Sequence, residues 1–273
     1  MSSKRQLIIP IFLPFAGCPN RCVFCDQNGI AGASALPSPD EVRTTISGYL
    51  STWKGSGPRE IAFYGGSFTG LSEDIQNAYL DTAFEFVKDG SIGSIRISTR
   101  PDYISKEIIK NLERHGVRTV ELGAQSMSEE VLRLSGRGHS PADTIRAVAL
   151  LKDASLKVGL QFMPGLPGDT ETTVLETAGA ILALTPDLAR VYPALVLKGT
   201  PMHKMFLEGS YAPWDLGRMV DVCSLISEMF KEAGVPIVRM GLHPSRELEE
   251  ALVAGPYHPS FRQLAQRRCD PIK

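Results

Sequence analysis

The chain has 273 residues, five of them cysteine, with 43% apolar and 22% charged side chains and a formal net charge of −1. That balance describes a globular protein long enough to bury its own core; it excludes a disordered chain, a disulfide-stapled mini-domain and a globally basic nucleic-acid binder. No apolar stretch reaches the ~18 to 20 residues that cross a bilayer, and no signal peptide is evident, so a cytoplasmic protein with no membrane role is expected.

In chain order, the apolar run Leu7 to Leu13 reads as a strand and leads into Ala16-Gly17-Cys18-Pro19-Asn20-Arg21-Cys22-Val23-Phe24-Cys25-Asp26. A loop from Gly29 to Pro39 precedes a helix over Pro39 to Tyr49, which opens with a cap residue, a proline and two acids at the positive end of the macrodipole. Further strands are predicted at Glu60 to Tyr64, Ile95 to Thr99, Thr119 to Leu122, Lys157 to Met163 and Ala189 to Leu195, with another candidate at Pro236 to Met240. Between them fall helices near Ser72 to Val87, Ser105 to His115, Ser128 to Leu134, Pro141 to Asp153, Thr170 to Leu184 and Pro213 to Ala233. Strand and helix alternate throughout, which predicts an α/β fold with parallel strands: six βα units forming a partial (β/α)6 barrel of the triosephosphate isomerase type. Such barrels carry their chemistry at the C-terminal ends of strands.

The spacing C-x-x-x-C-x-x-C at Cys18, Cys22 and Cys25 would arise by chance in roughly 2 chains per thousand, so it reads as a site. Three thiolates on a short loop suit three irons of a [4Fe–4S] cluster, leaving the fourth iron open to a small molecule. Zinc is the alternative, but it prefers four Cys or His ligands, and no histidine lies between Arg21 and His115. A disulfide reading meets an odd cysteine count. Cys223, inside an apolar helix face, reads as core, and Cys269 as a thiol outside the cluster.

With Phe24 before the last cysteine, this pattern resembles the signature of the radical S-adenosylmethionine (radical SAM) superfamily. The resemblance continues through Phe63-Tyr64-Gly65-Gly66-Ser67-Phe68-Thr69, Ser98-Thr99-Arg100-Pro101-Asp102, Val120-Glu121-Leu122-Gly123-Ala124-Gln125-Ser126, Arg137-Gly138-His139, Met163-Pro164-Gly165-Leu166-Pro167-Gly168-Asp169 and Tyr192-Pro193-Ala194-Leu195-Val196-Leu197-Lys198-Gly199-Thr200. These strings are similar to the core of the Elongator catalytic subunit and of oxygen-independent coproporphyrinogen oxidase-like proteins, over roughly residues 6 to 260. The resemblance implies a [4Fe–4S] cluster whose open iron chelates S-adenosylmethionine. It also implies reductive cleavage to methionine and a 5′-deoxyadenosyl radical, hydrogen abstraction from substrate, and an electron donor such as flavodoxin or ferredoxin.

The remaining candidates sit at strand ends. Gly65, Gly66 and Ser67 look like the family's glycine-rich S-adenosylmethionine motif, where the backbone approaches the ligand closely; an ordinary strand-to-helix turn is the alternative. Arg100 and Asp102 suit a ligand carboxylate and ribose hydroxyls, or else a surface ion pair. Gln125 and Gln161 place amides among apolar residues, which calls for ligand contact or a buried structural bond. Arg137 and His139 lie on a loop, facing a ligand or solvent, and the turn from Met163 to Gly168 either lines the adenine or only reverses the chain. Lys198 and the terminal Arg262, Arg267, Arg268 and Lys273 are the local cations available to an anionic substrate.

One core domain, residues 1–260, and a C-terminal tail, residues 261–273, are expected, without the acetyltransferase domain that Elongator-type proteins carry. The function expected is a radical SAM enzyme acting on a tRNA or nucleobase. A coproporphyrinogen oxidase-like enzyme on a small carboxylate and a non-catalytic iron–sulfur electron carrier are the alternatives.

Overall fold

A computed structural model describes residues 6–14, 16–19, 22–25 and 35–269, the last by its backbone alone. Its strands are β1 (Leu7–Leu13), β2 (Arg59–Gly65), β3 (Ser94–Thr99), β4 (Val117–Gln125), β5 (Lys157–Phe162), β6 (Leu188–Val191), β7 (Val196–Leu197), β8 (Ile237–Met240) and β9 (Leu252–Ala254). The helices are α1 (Pro39–Thr52), α2 (Glu73–Lys88), α3 (Lys106–Arg114), α4 (Glu129–Leu134), α5 (Pro141–Asp153), α6 (Glu171–Ala183), α7 (Pro201–Leu207), α8 (Leu216–Glu232), α9 (Arg246–Ala251) and α10 (Phe261–Cys269). Seven strands hydrogen-bond in the order β1-β2-β3-β4-β5-β6-β8, and β7 pairs separately with β9. The chain gathers into two compact units, residues 1–19, 33–122 and 147–158 in the first and residues 20–32, 123–146 and 159–273 in the second.

In the first unit β1, β2, β3 and most of β4 run parallel, with Leu13 beside Gly65 and Thr99 beside Leu122. Leu7, Ile9, Ile11 and Leu13 are buried while Pro10 and Phe12 face the other way, the period-2 pattern of a strand. Pro10 cannot donate to a ladder, and it is tolerated because β1 is an edge strand. Parallel neighbours need crossovers, supplied by α1, α2 and α3. Ser38 caps α1 in a reciprocal box with Glu41, and Ser105 caps α3 through the Ile108 amide. A buried charge network ties the strands: Arg96 on β3 donates to Glu60 on β2 at 2.7 Å and to Glu121 on β4 at 2.5 Å.

In the second unit β5, β6 and β8 are parallel, with Phe162 beside Val191 and Val191 beside Met240. Here the expected strand Ala189 to Leu195 is corrected. The parallel ladder ends at Val191, because Pro193 has no N–H to give, and Ala194 donates instead to the Pro164 carbonyl at 2.9 Å. Val196 and Leu197 then pair antiparallel with β9. Helix α8 starts at Leu216 rather than Pro213, since the Asp215 carboxylate accepts from the Arg218 amide. Helix α7, which periodicity missed, carries a legible start: Thr200 accepts from the His203 amide and Pro201 takes the first turn. Residues 261–269, the start of the segment read as a tail, form α10, which packs against α8 and buries Phe261 and Ala265.

Candidate functional site

The segment after β1 is held to its surroundings by backbone. In the first unit, the Gly66 N–H donates to Leu13 O and the Ser67 N–H to Ala16 O, each at 2.7 Å. The approach is too close for side chains. A methyl on Gly66 would lie 2.0 Å from Ala16 O, one on Gly17 2.1 Å from Ser67 O, and one on Gly70 2.2 Å from Gly17 O. Gly65 closes β2 at φ 110°, a conformation that favours glycine. Sequence alone assigned Gly65 and Gly66 to a ligand; the structure sets Gly66 against the backbone of the cysteine segment itself. Ser67 is 1% exposed and its hydroxyl oxygen lies 3.4 Å from Cys18 Sγ.

Cys22 and Cys25 belong to the second unit. The Cys25 N–H closes a turn on Cys22 O at 3.1 Å, and Val23 between them donates to Ser135 O at 3.0 Å and accepts from Met202 N–H at 2.8 Å. Phe24 packs on Val131, Leu166 and Ala194, which anchors the turn in apolar core. Cys22 is 5% exposed, and its sulfur accepts from Arg137 Nη1 at 3.6 Å. Cys18, Cys22, Cys25 and Cys223 are thiols rather than disulfides. Among the described residues, no three His, Cys, Asp or Glu side chains stand as a ready-made metal cage; residues 20, 21 and 26–34 of this segment lie outside the described residues.

At the end of β3, Arg100 is 1% exposed and makes a two-point pair with Asp102, at 3.0 and 2.9 Å. Its Nη1 is buried with no hydrogen-bond partner among the described residues, so this is not a surface ion pair. One guanidinium nitrogen is left for an acceptor that the described residues do not supply.

Gln125 ends β4 with φ 66°, a left-handed conformation costly for a side chain with a Cβ. Its Oε1 accepts from Gln161 Nε2 at 3.4 Å, which brings two separately predicted residues together. Arg137, not placed among the principal site residues by sequence, proves to be buried. Its Nη2 donates to Gly123 O at 2.7 Å, and its Nε has no partner among the described residues. His139 is also buried, with Nε2 3.2 Å from Ala124 O, which corrects the reading of a solvated loop histidine. The signal in the sequence was an arginine and a histidine flanking a glycine, Gly138, which adopts φ 77° in the structure.

The turn after β5 is built on Asp169. Its Oδ2 accepts from the Gly165 and Leu166 amides at 3.1 and 3.0 Å, and Thr173 donates to Oδ1 at 3.0 Å. Tyr211 donates to Gly165 O at 2.7 Å. Burial pushes the Asp169 carboxyl up to about 6, against those hydrogen bonds, and burial followed by the Asp169 charge raises the Tyr211 phenol.

Cys223 is wholly buried in α8, and burial raises its thiol, which fits a core role. Lys198 is exposed. Arg268 is ion-paired with Asp221 and Arg262 donates to Val238 O, while Lys273 and the Cys269 side chain lie outside the described residues.

These groups suit a [4Fe–4S] cluster and S-adenosylmethionine. In the first unit the Ser67 hydroxyl oxygen stands 3.4 Å from Cys18 Sγ and Arg100 keeps a buried N–H without a partner among the described residues; in the second, Arg137 donates to Cys22 Sγ and keeps another.

Comparison with known proteins agrees. Residues 12–181 match the radical SAM superfamily and residues 186–270 the radical SAM C-terminal domain. The chain is 40% identical over 131 residues to a tRNA uridine(34) acetyltransferase of Methanocaldococcus infernus, covering 47% of this chain and 24% of that protein. It is 28% identical over 235 residues to human Elongator complex protein 3, covering 78% of this chain and 42% of that one. It therefore spans less than half the length of either relative. Among solved structures, an N-terminally deleted Elp3 of the same archaeon superposes with a TM-score of 0.76 at 23% identity, over 96% of this chain and 62% of that chain. Coproporphyrinogen III oxidase (HemN) of Escherichia coli gives 0.62 at 17% identity, over 85% of this chain and 53% of that one. Those likenesses confirm the fold, an α/β partial barrel of the triosephosphate isomerase type with parallel strands. No helix among the described residues is long and apolar enough to cross a membrane. With more than half its length matched, the chain belongs to the radical SAM superfamily, enzymes that use a [4Fe–4S] cluster and S-adenosylmethionine.

Proposed function

We propose that this enzyme acts on a uridine base of tRNA. The observation that carries the reading is the 40% identity over 131 residues to a protein named tRNA uridine(34) acetyltransferase, supported by the similarity to Elongator complex protein 3. Cys18, Cys22 and Cys25 are the three cluster ligands in this reading, and a low-potential donor such as flavodoxin or ferredoxin supplies electrons. Bound together, the cluster and S-adenosylmethionine supply one-electron chemistry that removes hydrogen from an unactivated carbon.

The protein's own residues bind, orient and exclude water. Arg100, clamped by Asp102, offers its spare N–H to an anionic oxygen such as the ligand carboxylate. Gln125 and Gln161 hold each other and present the other face of each amide to a ribose or base edge. Gly65, Gly66 and Ser67 keep the S-adenosylmethionine side of the site close to backbone. Residues 1–260 act as the catalytic core, and residues 261–269 add helix α10 to it.

Anaerobically reconstituted protein with reductant, S-adenosylmethionine and either tRNA or coproporphyrinogen tests this. The reading expects tRNA to accelerate 5′-deoxyadenosine formation and to bind with an affinity that falls steeply as salt rises, because phosphate contacts release counterions. No tRNA binding at low salt would end the nucleic-acid reading. Stimulation by the porphyrinogen alone would replace it with the small-carboxylate one.

A further inference from the structure

We propose that Ser67 and Arg137 donate hydrogen bonds to the sulfurs of Cys18 and Cys22 and so set the reduction potential of the cluster that these cysteines carry. The inference rests on the reading of Cys18 and Cys22 as cluster ligands.

A coordinating thiolate has no proton, so in the Ser67 Oγ to Cys18 Sγ contact at 3.4 Å the hydroxyl is the donor. That hydroxyl is not free to leave. Its own N–H is bonded to Ala16 O at 2.7 Å, and Gly17 lies so close to Ser67 O that a methyl there would sit at 2.1 Å. Donor and acceptor thus sit on one interlocked backbone, and Ser67 is 1% exposed, so water does not compete for its hydroxyl. Sequence alone placed Ser67 in a glycine-rich S-adenosylmethionine motif; the position of its hydroxyl in the structure points to sulfur.

Arg137 repeats the arrangement in the second unit. Its backbone N–H is bonded to Leu132 O at 3.0 Å and its Nη2 to Gly123 O at 2.7 Å, which leaves Nη1 directed at Cys22 Sγ at 3.6 Å. Cys22 is fixed next to Val23, whose amide and carbonyl are both bonded. The guanidinium brings a full charge as well as a donor, and at 6% exposure that charge is poorly screened.

Reduction of a cluster by one electron places more negative charge on its irons and sulfurs. Donors to sulfur stabilise that state over the oxidised one, and their removal makes reduction harder.

The test uses the full chain, reconstituted anaerobically without S-adenosylmethionine, as parent, Ser67→Ala, Ser67→Thr, Arg137→Met and Cys18→Ala. Iron content and an EPR-monitored redox titration are the readouts. Ser67→Ala and Arg137→Met should each keep full iron and show about a tenfold lower reduced-to-oxidised ratio at a given solution potential, about 59 mV more negative for a one-electron couple. Ser67→Thr, which keeps the hydroxyl, should match the parent. Full iron with an unchanged potential in both Ser67→Ala and Arg137→Met would overturn the proposal, as would equal iron loss in Ser67→Ala and Ser67→Thr, which would mean that the position only packs. Full iron in Cys18→Ala would instead sink the ligand assignment beneath it.

Discussion

The side-chain amide of Gln161 donates to that of Gln125 at 3.4 Å, and Gln125 makes this contact from a left-handed backbone position with φ 66°. A residue with a Cβ pays roughly 1–2 kcal/mol to stand there. The fold holds that strained position at the end of β4, where Gln125 O accepts from Met163 N–H at 2.8 Å.

Gln125→Gly should therefore be more stable than Gln125→Ala by about 1 kcal/mol, because both lose the amide and only alanine keeps the strain. Urea unfolding of the two variants checks this. Equal midpoints would show that the left-handed conformation costs nothing here.

Gly66→Ala and Gly70→Ala should each lower iron retention as well as stability, since the added methyl meets the backbone of Ala16 or Gly17 at 2.0 or 2.2 Å. Gly48→Ala, where a methyl meets nothing within 4 Å inside α1, should stabilise by about 0.5–1 kcal/mol. Iron assay after reconstitution and thermal unfolding decide the matter. A Gly66→Ala protein with parental iron and stability would refute the tight approach.

Arg96→Met should destabilise by about 3–5 kcal/mol, because Glu60 and Glu121 stay buried after losing the guanidinium that both accept from. The triple variant with Glu60→Gln and Glu121→Gln should recover much of that loss. Denaturant unfolding of the single and triple variants measures it, and a loss under about 1 kcal/mol in Arg96→Met would mean that the network carries little.

Asp169 sets a pH dependence with a definite sign. Burial raises its carboxyl from 3.8 to about 6, so the folded chain holds this proton more tightly than the unfolded one. Its stabilising contribution is complete below about 3.8 and is lost as pH rises through about 6, a change of at most about 3 kcal/mol. Asn mimics the protonated acid: its oxygen can accept from the Gly165 and Leu166 amides, and its nitrogen can donate to Thr173 Oγ1. Asp169→Asn should gain on the parent as pH rises from about 4 to about 6 and hold that advantage unchanged above it. An identical pH profile for the two proteins in urea unfolding would contradict the raised carboxyl.

Much of this was legible in the order of residues. The period-2 burial of Leu7 to Leu13, the Ser38-Pro39-Asp40-Glu41 cap and the strand-helix alternation are local, set by backbone sterics and side-chain pattern, so they survive in any context. The cysteine spacing and its companion strings carried the family for the same reason: a motif is a run of neighbours. Tertiary structure decided what depends on residues far apart. Ala194, past the end of β6, turns its N–H to the Pro164 carbonyl; Gly66 serves the cysteine segment because Ala16 lies against it; Arg137 reaches Cys22 across 115 positions of sequence. A buried donor must find an acceptor wherever the fold provides one, and sequence spacing holds no record of which acceptor that is.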